Sequence, residues 1–200
     1  MRCELTMAVA CAAAVCVGGQ MQETKVIELW PGKPPGGTDK PKQEKPVTSE
    51  WRGKWSITRL QHVSKPTLTV FQPTGRAAAP RPAVVVCPGG GYSILAWDLE
   101  GTEICQWLNT LGVAGLLLKY RVPRQRDAAF ADAQRAMGLA RHRAKAWQVD
   151  PKRVGILGFS AGGHLAARVC TSFAERSYEA VDEADAASCR PDFAVLVYPA

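Results

Sequence analysis

Hydrophobic positions change their spacing along the chain, and each change marks an element. The run "AVVVC" (83–87) is unbroken and bounded by Pro82 and Pro88, which predicts a short strand buried on both faces. The runs "AGLLLKYRV" (114–122), "RVGILGF" (153–159) and "FAVLVYP" (193–199) read the same way. Between them the spacing turns helical. In "GTEICQWLNTLG" (101–112) Ile104, Leu108 and Leu111 share one face, and Gly112 stands where a helix terminates. Over 127–151, Phe130, Ala133, Met137, Ala140, Ala144 and Trp147 form a stripe with Arg and Lys opposite, and Pro151 closes the helix. "SAGGHLAARVCTSF" (160–173) is a third helix. Upstream, "WSITRLQHV" (55–63) and "TLTVFQP" (67–73) are rich in Thr, Val and Ile and flank "SKP", predicting an antiparallel strand pair. "KVIELWPG" (25–32) adds one short strand against the domain. Apolar strands alternating with helices define an α/β protein, a mostly parallel sheet with helices on both faces.

With 200 residues the chain holds about one domain. Its texture divides it into an expected export signal at 1–20, an extended Pro/Gly/Lys-rich leader at 21–50, and an α/β domain from 51 to 200. The first segment carries an apolar run from Leu5 to Val17 after Arg2, shorter than the ~20 residues that span a bilayer and suited to a signal peptide. An apolar tail, or a start at Met7, is the alternative. No stable membrane span is expected. The net charge of +7 gathers partly in "PGKPPGGTDKPKQEKP" (31–46), and no basic helix or basic-aromatic stripe accompanies it, so nucleic acid is not an expected partner. The cysteines show no CxxC and no metal spacing; neither metal nor cofactor is expected. Cys87 and Cys170 fall in apolar segments as small core residues, and a Cys170–Cys189 disulfide is compatible with export.

Two glycine-rich corners bring in chemistry. Gly158-Phe159-Ser160-Ala161-Gly162 fits G-x-S-x-G at the junction of a buried strand and a helix. A serine at such a sharp corner has strained backbone, so small residues must flank it, and its Oγ is lifted from the sheet. The alternatives are a plain strand–turn–helix or a nucleotide loop. No GK[ST] is present, and "GILGFSAGG" lacks dinucleotide spacing. The second corner, "VVVCPGGGYS" (84–93), places three glycines after a buried strand. It is either a flexible turn or a loop whose N–H groups meet a developing oxyanion, with the N–H of Ala161 completing the set.

Together these stretches resemble the α/β-hydrolase superfamily, in particular the exported esterase branch of acetyl xylan esterases, BD-FAE-like enzymes and hormone-sensitive-lipase-like carboxylesterases. The resemblance spans about 63–200 and is carried by "PAVVVCPGGGY", "DLEG", "LLKYRVP", "DAQRA", "VDPKRVGILGFSAGGHLAA" and "RPDFAVLVYP". It implies that Ser160 is the nucleophile, Gly90, Gly91 and Ala161 the oxyanion donors, and Tyr92 a residue at the pocket edge. It also implies a short-chain ester substrate, acetyl or feruloyl groups on plant polysaccharide. Peptidase, formamidase and lactonase chemistry stay open. Pro88 occupies the place where many relatives carry His, which removes a side chain that holds the loop. Asp98, Glu100 and Arg121 are candidates to line the site, or a helix cap and a surface ion pair.

A serine needs a base, and the base an orienting acid. In this superfamily both follow the serine in the order acid, then His. His164 lies four residues along the same helix and reads as scaffold, as do His62 and His142. Glu175, Glu179, Asp182, Glu183, Asp185 and Asp192 precede or border the final strand. The expectation is therefore a chain that ends after about the sixth strand, with triad acid and histidine beyond residue 200. The alternative is a catalytically inactive chain that keeps an ester- or carbohydrate-binding pocket.

Overall fold

A computed structural model describes residues 14–17, 20–37, 42–51, 53, 55–75 and 78–200. The strands among them are β1 (Ala14–Val17), β2 (Gln20–Glu28), β3 (Lys45–Trp51), β4 (Trp55–Gln61), β5 (Thr67–Phe71), β6 (Arg81–Cys87), β7 (Ile94–Ala96), β8 (Ala114–Lys119), β9 (Val149–Phe159) and β10 (Ala194–Val197). Three α-helices accompany them: α1 (Glu103–Thr110), α2 (Arg126–His142) and α3 (Ala161–Thr171). One sheet runs β1-β2-β5-β8-β6-β9-β10, and a small one runs β3-β4-β7. Strands β8, β6, β9 and β10 are parallel, while β1, β2 and β5 extend that block antiparallel on one side.

The alternating side chains of β6 sort the core into two layers. Ala83, Val85 and Cys87 join Leu116, Leu118 and Ile156 under α2 and α3. Val84 and Val86 join Phe71, Leu117, Leu157 and the α1 residues Cys105 and Leu108 on the opposite face. Helices thus cover both faces, which is why the central strands are apolar throughout.

Five expectations need correction. The runs at 55–63 and 67–73 do not pair with each other. β4 pairs with β3 and β7, whereas β5 lies between β2 and β8. Burial separates them: β5 is buried at every position, β4 only at every third, and His62, with φ 58°, turns the chain from one sheet to the other. The segment 21–50 does not lead up to the domain but is woven into it. β2 pairs with β5 from Thr24 to Glu28, so the strand expected there is present and longer, and Leu29 and Trp30 are buried. The expected export signal, 1–20, lies outside the described residues except for β1 and Gln20.

Helix α2 ends at His142, not near Pro151. Ala144 and Trp147 keep their helical spacing and stay buried, but in a turn where Val149 N–H returns to the Ala144 carbonyl. Nor does α2 present a charged outer face: Ala128 through Ala140 are all buried, Asp132, Gln134 and Arg135 included. Finally, Cys170 and Cys189 are free thiols, and Cys189 Sγ donates to the Phe173 carbonyl.

Candidate active site

Ser160 stands between β9 and α3 with φ 48° and ψ −117°, a backbone conformation that costs an L-residue about 1–3 kcal/mol and persists only where the surroundings enforce it. They do so on three sides. Ser160 N–H donates to the Val197 carbonyl of β10, its own carbonyl accepts from His164 N–H, and it also accepts from Ala200 N–H. A Cβ on Gly158 would strike the Gly162 carbonyl, and a Cβ on Gly162 would strike the Cys87 carbonyl. The two motif glycines are therefore required by backbone-to-backbone approach, and helix α3 starts directly against the loop that follows β6.

That loop is the second half of the site. Gly89 lies beside the serine: a Cβ there would sit 3.2 Å from Ser160 Cβ and 2.6 Å from Glu100 Oε2. Gly90, at φ 133°, closes a tight turn in which its carbonyl accepts from the N–H groups of Ser93 and Ile94. Among the described residues no acceptor takes the N–H of Gly90, Gly91 or Ala161. The N–H of Ala161, next to the serine, and those of Gly90 and Gly91, in the turn after Gly89, are thus left without an acceptor, and the serine hydroxyl has no hydrogen-bond partner among the described residues.

Three side chains brace this loop. The buried Tyr120 hydroxyl donates to the Pro88 carbonyl at 2.6 Å. Gly89 N–H donates to Glu100 Oε2 at 2.7 Å, and Glu100 Oε1 accepts from the Tyr198 hydroxyl at 2.6 Å. Burial, then the bonded Glu100 carboxylate, pushes the Tyr198 hydroxyl up to about 12. Tyr120 and Tyr198 were missed in the sequence; each lies near the C-terminal end of a predicted strand and follows directly on the observed one.

The other candidates take structural positions. Tyr92 is buried, its hydroxyl shares a 2.9 Å hydrogen bond with His164 Nδ1, and burial foremost pushes it up to about 12. It is therefore not at an open pocket edge but fixes the His164 ring. Asp98 accepts from Thr58 N–H and Leu99 N–H at the start of a π-helical turn, Asp98–Thr102. Arg121 corrects the expectation most sharply. It is 1% exposed, bonded to Asp132 through Nε and Nη2 and to the Pro35 carbonyl through Nη1, with its guanidinium 6.0 Å from the Trp30 ring. A cation so fully engaged belongs to the core. Of the acid candidates, Asp182 and Asp185 bind Arg135 and Asp192 binds Arg141. No cluster of His, Cys, Asp or Glu suited to a metal ion occurs among the described residues. Two surface cavities, of about 370 and 310 Å³, lie away from Ser160.

A parallel sheet covered on both faces, with a strained serine at the strand-to-helix corner and a glycine loop against it, defines an α/β-hydrolase fold. Within that class the match is narrower: the BD-FAE family model covers residues 68–196, and the chain belongs to that family. It is 38% identical over 128 residues to an acetylxylan esterase of Xylanibacter ruminicola, a match covering 64% of this chain and 23% of that protein. It is 30% identical to endo-1,4-beta-xylanase B of Butyrivibrio fibrisolvens over 60% of this chain and 19% of that one. Among solved structures, an acetyl ester-xyloside bifunctional hydrolase from Caldicellulosiruptor lactoaceticus superposes with a TM-score of 0.67 at 33% identity, covering 88% of this chain and 57% of that one. A thermophilic esterase from Thermogutta terrifontis superposes with a TM-score of 0.59 at 28% identity, covering 68% and 49%. The chain thus spans about a quarter or less of the curated relatives and about half of the solved ones.

Proposed function

We propose that the protein is a serine hydrolase of short-chain carboxylic esters, acting on acyl groups carried by plant polysaccharide, acetyl foremost and feruloyl next. The observation that carries this reading is the Ser160 backbone at φ 48° with the Gly89–Gly91 loop packed beside it. The names of the similar acetylxylan esterase and acetyl ester-xyloside hydrolase support the acetyl substrate. In this mechanism Ser160 Oγ, its proton taken by a base, attacks the acyl carbonyl. The N–H groups of Ala161, Gly90 and Gly91 receive the negative charge that develops on the oxygen. Collapse expels the sugar alcohol, and water then releases the acyl-enzyme. His164 hydrogen-bonds Tyr92 through Nδ1 and makes no bond to Ser160 Oγ, so this reading keeps it as scaffold. Export through the apolar N-terminal segment fits a polymeric substrate, and no described helix is long and apolar enough to cross a membrane.

A second reading, an ester-binding chain without turnover, is favoured by one observation: no described side chain bonds to Ser160 Oγ. The test is p-nitrophenyl acetate hydrolysis by protein made from the full coding sequence, with and without Ser160→Ala. Loss of activity in the variant, to the ~1,000- to 10,000-fold residual over water that oxyanion binding alone sustains, supports the hydrolase. Equal rates in both proteins exclude Ser160, and wild-type protein that binds acetylated xylan without turnover establishes the second reading.

A further inference from the structure

The 370 Å³ cavity lies at the far end of the sheet from Ser160. Its walls are built from the starts of the parallel strands: Arg81 opens β6, and Gln148 directly precedes β9. Ser160 follows the other end of β9, and β6, paired along it from Arg81 to Cys87, spans about 20 Å of that separation at ~3.3 Å per residue. Nothing that enters this cavity touches the nucleophile.

Three features specify what would enter. Lys25, Arg81 and Arg143 line the cavity, and no aspartate or glutamate does. Among the described residues no carboxylate forms an ion pair with any of the three. Like charges gathered in a concave wall repel one another and raise the local potential, which favours an anion. The floor, however, is apolar: Ile27, Val70 and Trp147 form it. The walls are also tied together. Gln72 Nε2 donates to the Trp147 carbonyl, Arg81 N–H donates to the Gln148 carbonyl, and Arg81 Nη1 and Nη2 donate to the carbonyls of Pro73 and Gly75. Gln148 is held at φ 52° in that wall. The cavity is preformed, as ligand sites usually are.

Arg81 is fixed in the wall, Nη1 and Nη2 each giving one N–H to a carbonyl. It supplies charge, while Lys25 and Arg143, both exposed at the rim, are left to make contact. We propose that this cavity binds an organic acid whose carboxylate is carried on a ring: the ring lies over Ile27, Val70 and Trp147, and the carboxylate meets Lys25 and Arg143. Aromatic acids and acidic sugars share this chemistry. The site stands independently of the ester hydrolase reading.

The experiment is a titration of the 200-residue protein by calorimetry with benzoate, D-glucuronate, D-glucose and inorganic phosphate, repeated on Ser160→Ala and on the double variant Lys25→Glu/Arg143→Glu. The expected result is saturable binding of at least one ring acid, unchanged in Ser160→Ala. The double variant, matched in thermal midpoint to show that it folds, weakens that binding at least about tenfold, and glucose and phosphate bind at least about tenfold more weakly than the acid. Benzoate binding alone identifies an aromatic acid, and glucuronate binding alone an acidic sugar. The proposal is overturned if neither acid binds up to about 20 mM, if glucose or phosphate binds as tightly, or if charge reversal leaves the affinity unchanged.

Discussion

Glu100 touches no substrate in the proposed reaction, yet it joins the glycine loop to the end of β10 through two hydrogen bonds. A hydrogen bond to a charged group contributes about 1.5–3 kcal/mol. Glu100→Ala should therefore lower kcat for p-nitrophenyl acetate by about ten- to a hundredfold with KM nearly unchanged, Glu100→Gln less, and Tyr198→Phe least. A KM rise at constant kcat would instead place Glu100 in ground-state binding. Gly162 tests the corner itself. A Cβ there meets the Cys87 and Pro88 carbonyls, so Gly162→Ala should destabilise by on the order of 3 kcal/mol or more, read from urea unfolding midpoints; an unchanged midpoint would mean that α3 can withdraw from the loop. The serine corner was legible because glycine and serine spacing reports backbone strain directly. The work of Tyr120, Glu100 and Tyr198 was not, because each acts over 11 to 98 residues of sequence. Arg121 misled for the same reason: its partner Asp132 sits on another element, and a strand-end arginine looks alike whether it faces solvent or a buried carboxylate.

At the scale of elements, α2 is joined to the short 3-10 turn Glu183–Ala186 by Arg135. Its guanidinium meets both oxygens of Asp182, at 2.6 and 2.5 Å, and Asp185 at 3.0 Å. The hydrogen bond from Arg135 holds the Asp182 carboxyl below its ordinary value. Burial alone would raise Asp185, but the Val181 N–H, the Tyr178 hydroxyl and Arg135 outweigh it and hold that group low as well. Near pH 4 the unfolded chain therefore binds more protons than the folded one, so stability rises with pH there. Both contributions are complete above the unfolded-state value of about 3.9 and are lost as pH falls through the lower folded values. Urea midpoints measured from pH 6 down to pH 2.5 should fall, and Asp185→Asn should flatten that decline; a parallel decline in the variant would remove Asp185 from the account. Arg135→Met leaves Asp185 buried with only the more distant Arg176, at 3.5 Å, as its cation and should cost about 3 kcal/mol, seen as a lowered Tm. Helical spacing disclosed that α2 exists. It did not disclose the helix's end, since Ala144 and Trp147 continue the period through a turn, nor its charged yet buried residues.

Across the whole molecule, the α/β class and the helices on both faces were readable from unbroken apolar runs alone. Strand pairing was not, since period-2 and apolar signals say nothing about neighbours: β4 and β5 follow one another and lie in different sheets. On β10, Val195 and Leu196 are 44% and 43% exposed, an apolar edge of the kind that recruits other chains. Leu196→Lys should lower light scattering on heating at equal concentration; undiminished scattering would move the sticky surface elsewhere. The N-terminal segment has a different consequence. Leu29 and Pro35 offer their carbonyls to Arg135 and Arg121, across 106 and 86 residues. A ribosome releases this segment early and its arginines about a hundred residues later, several seconds at ordinary synthesis speeds of ~5–20 residues per second. Until then Trp30 has neither its ring partner Tyr178 nor the Asp132 carboxylate that accepts its N–H. This segment is thus made about a hundred residues before its arginine partners, and during that interval its burial depends on whatever holds a nascent chain.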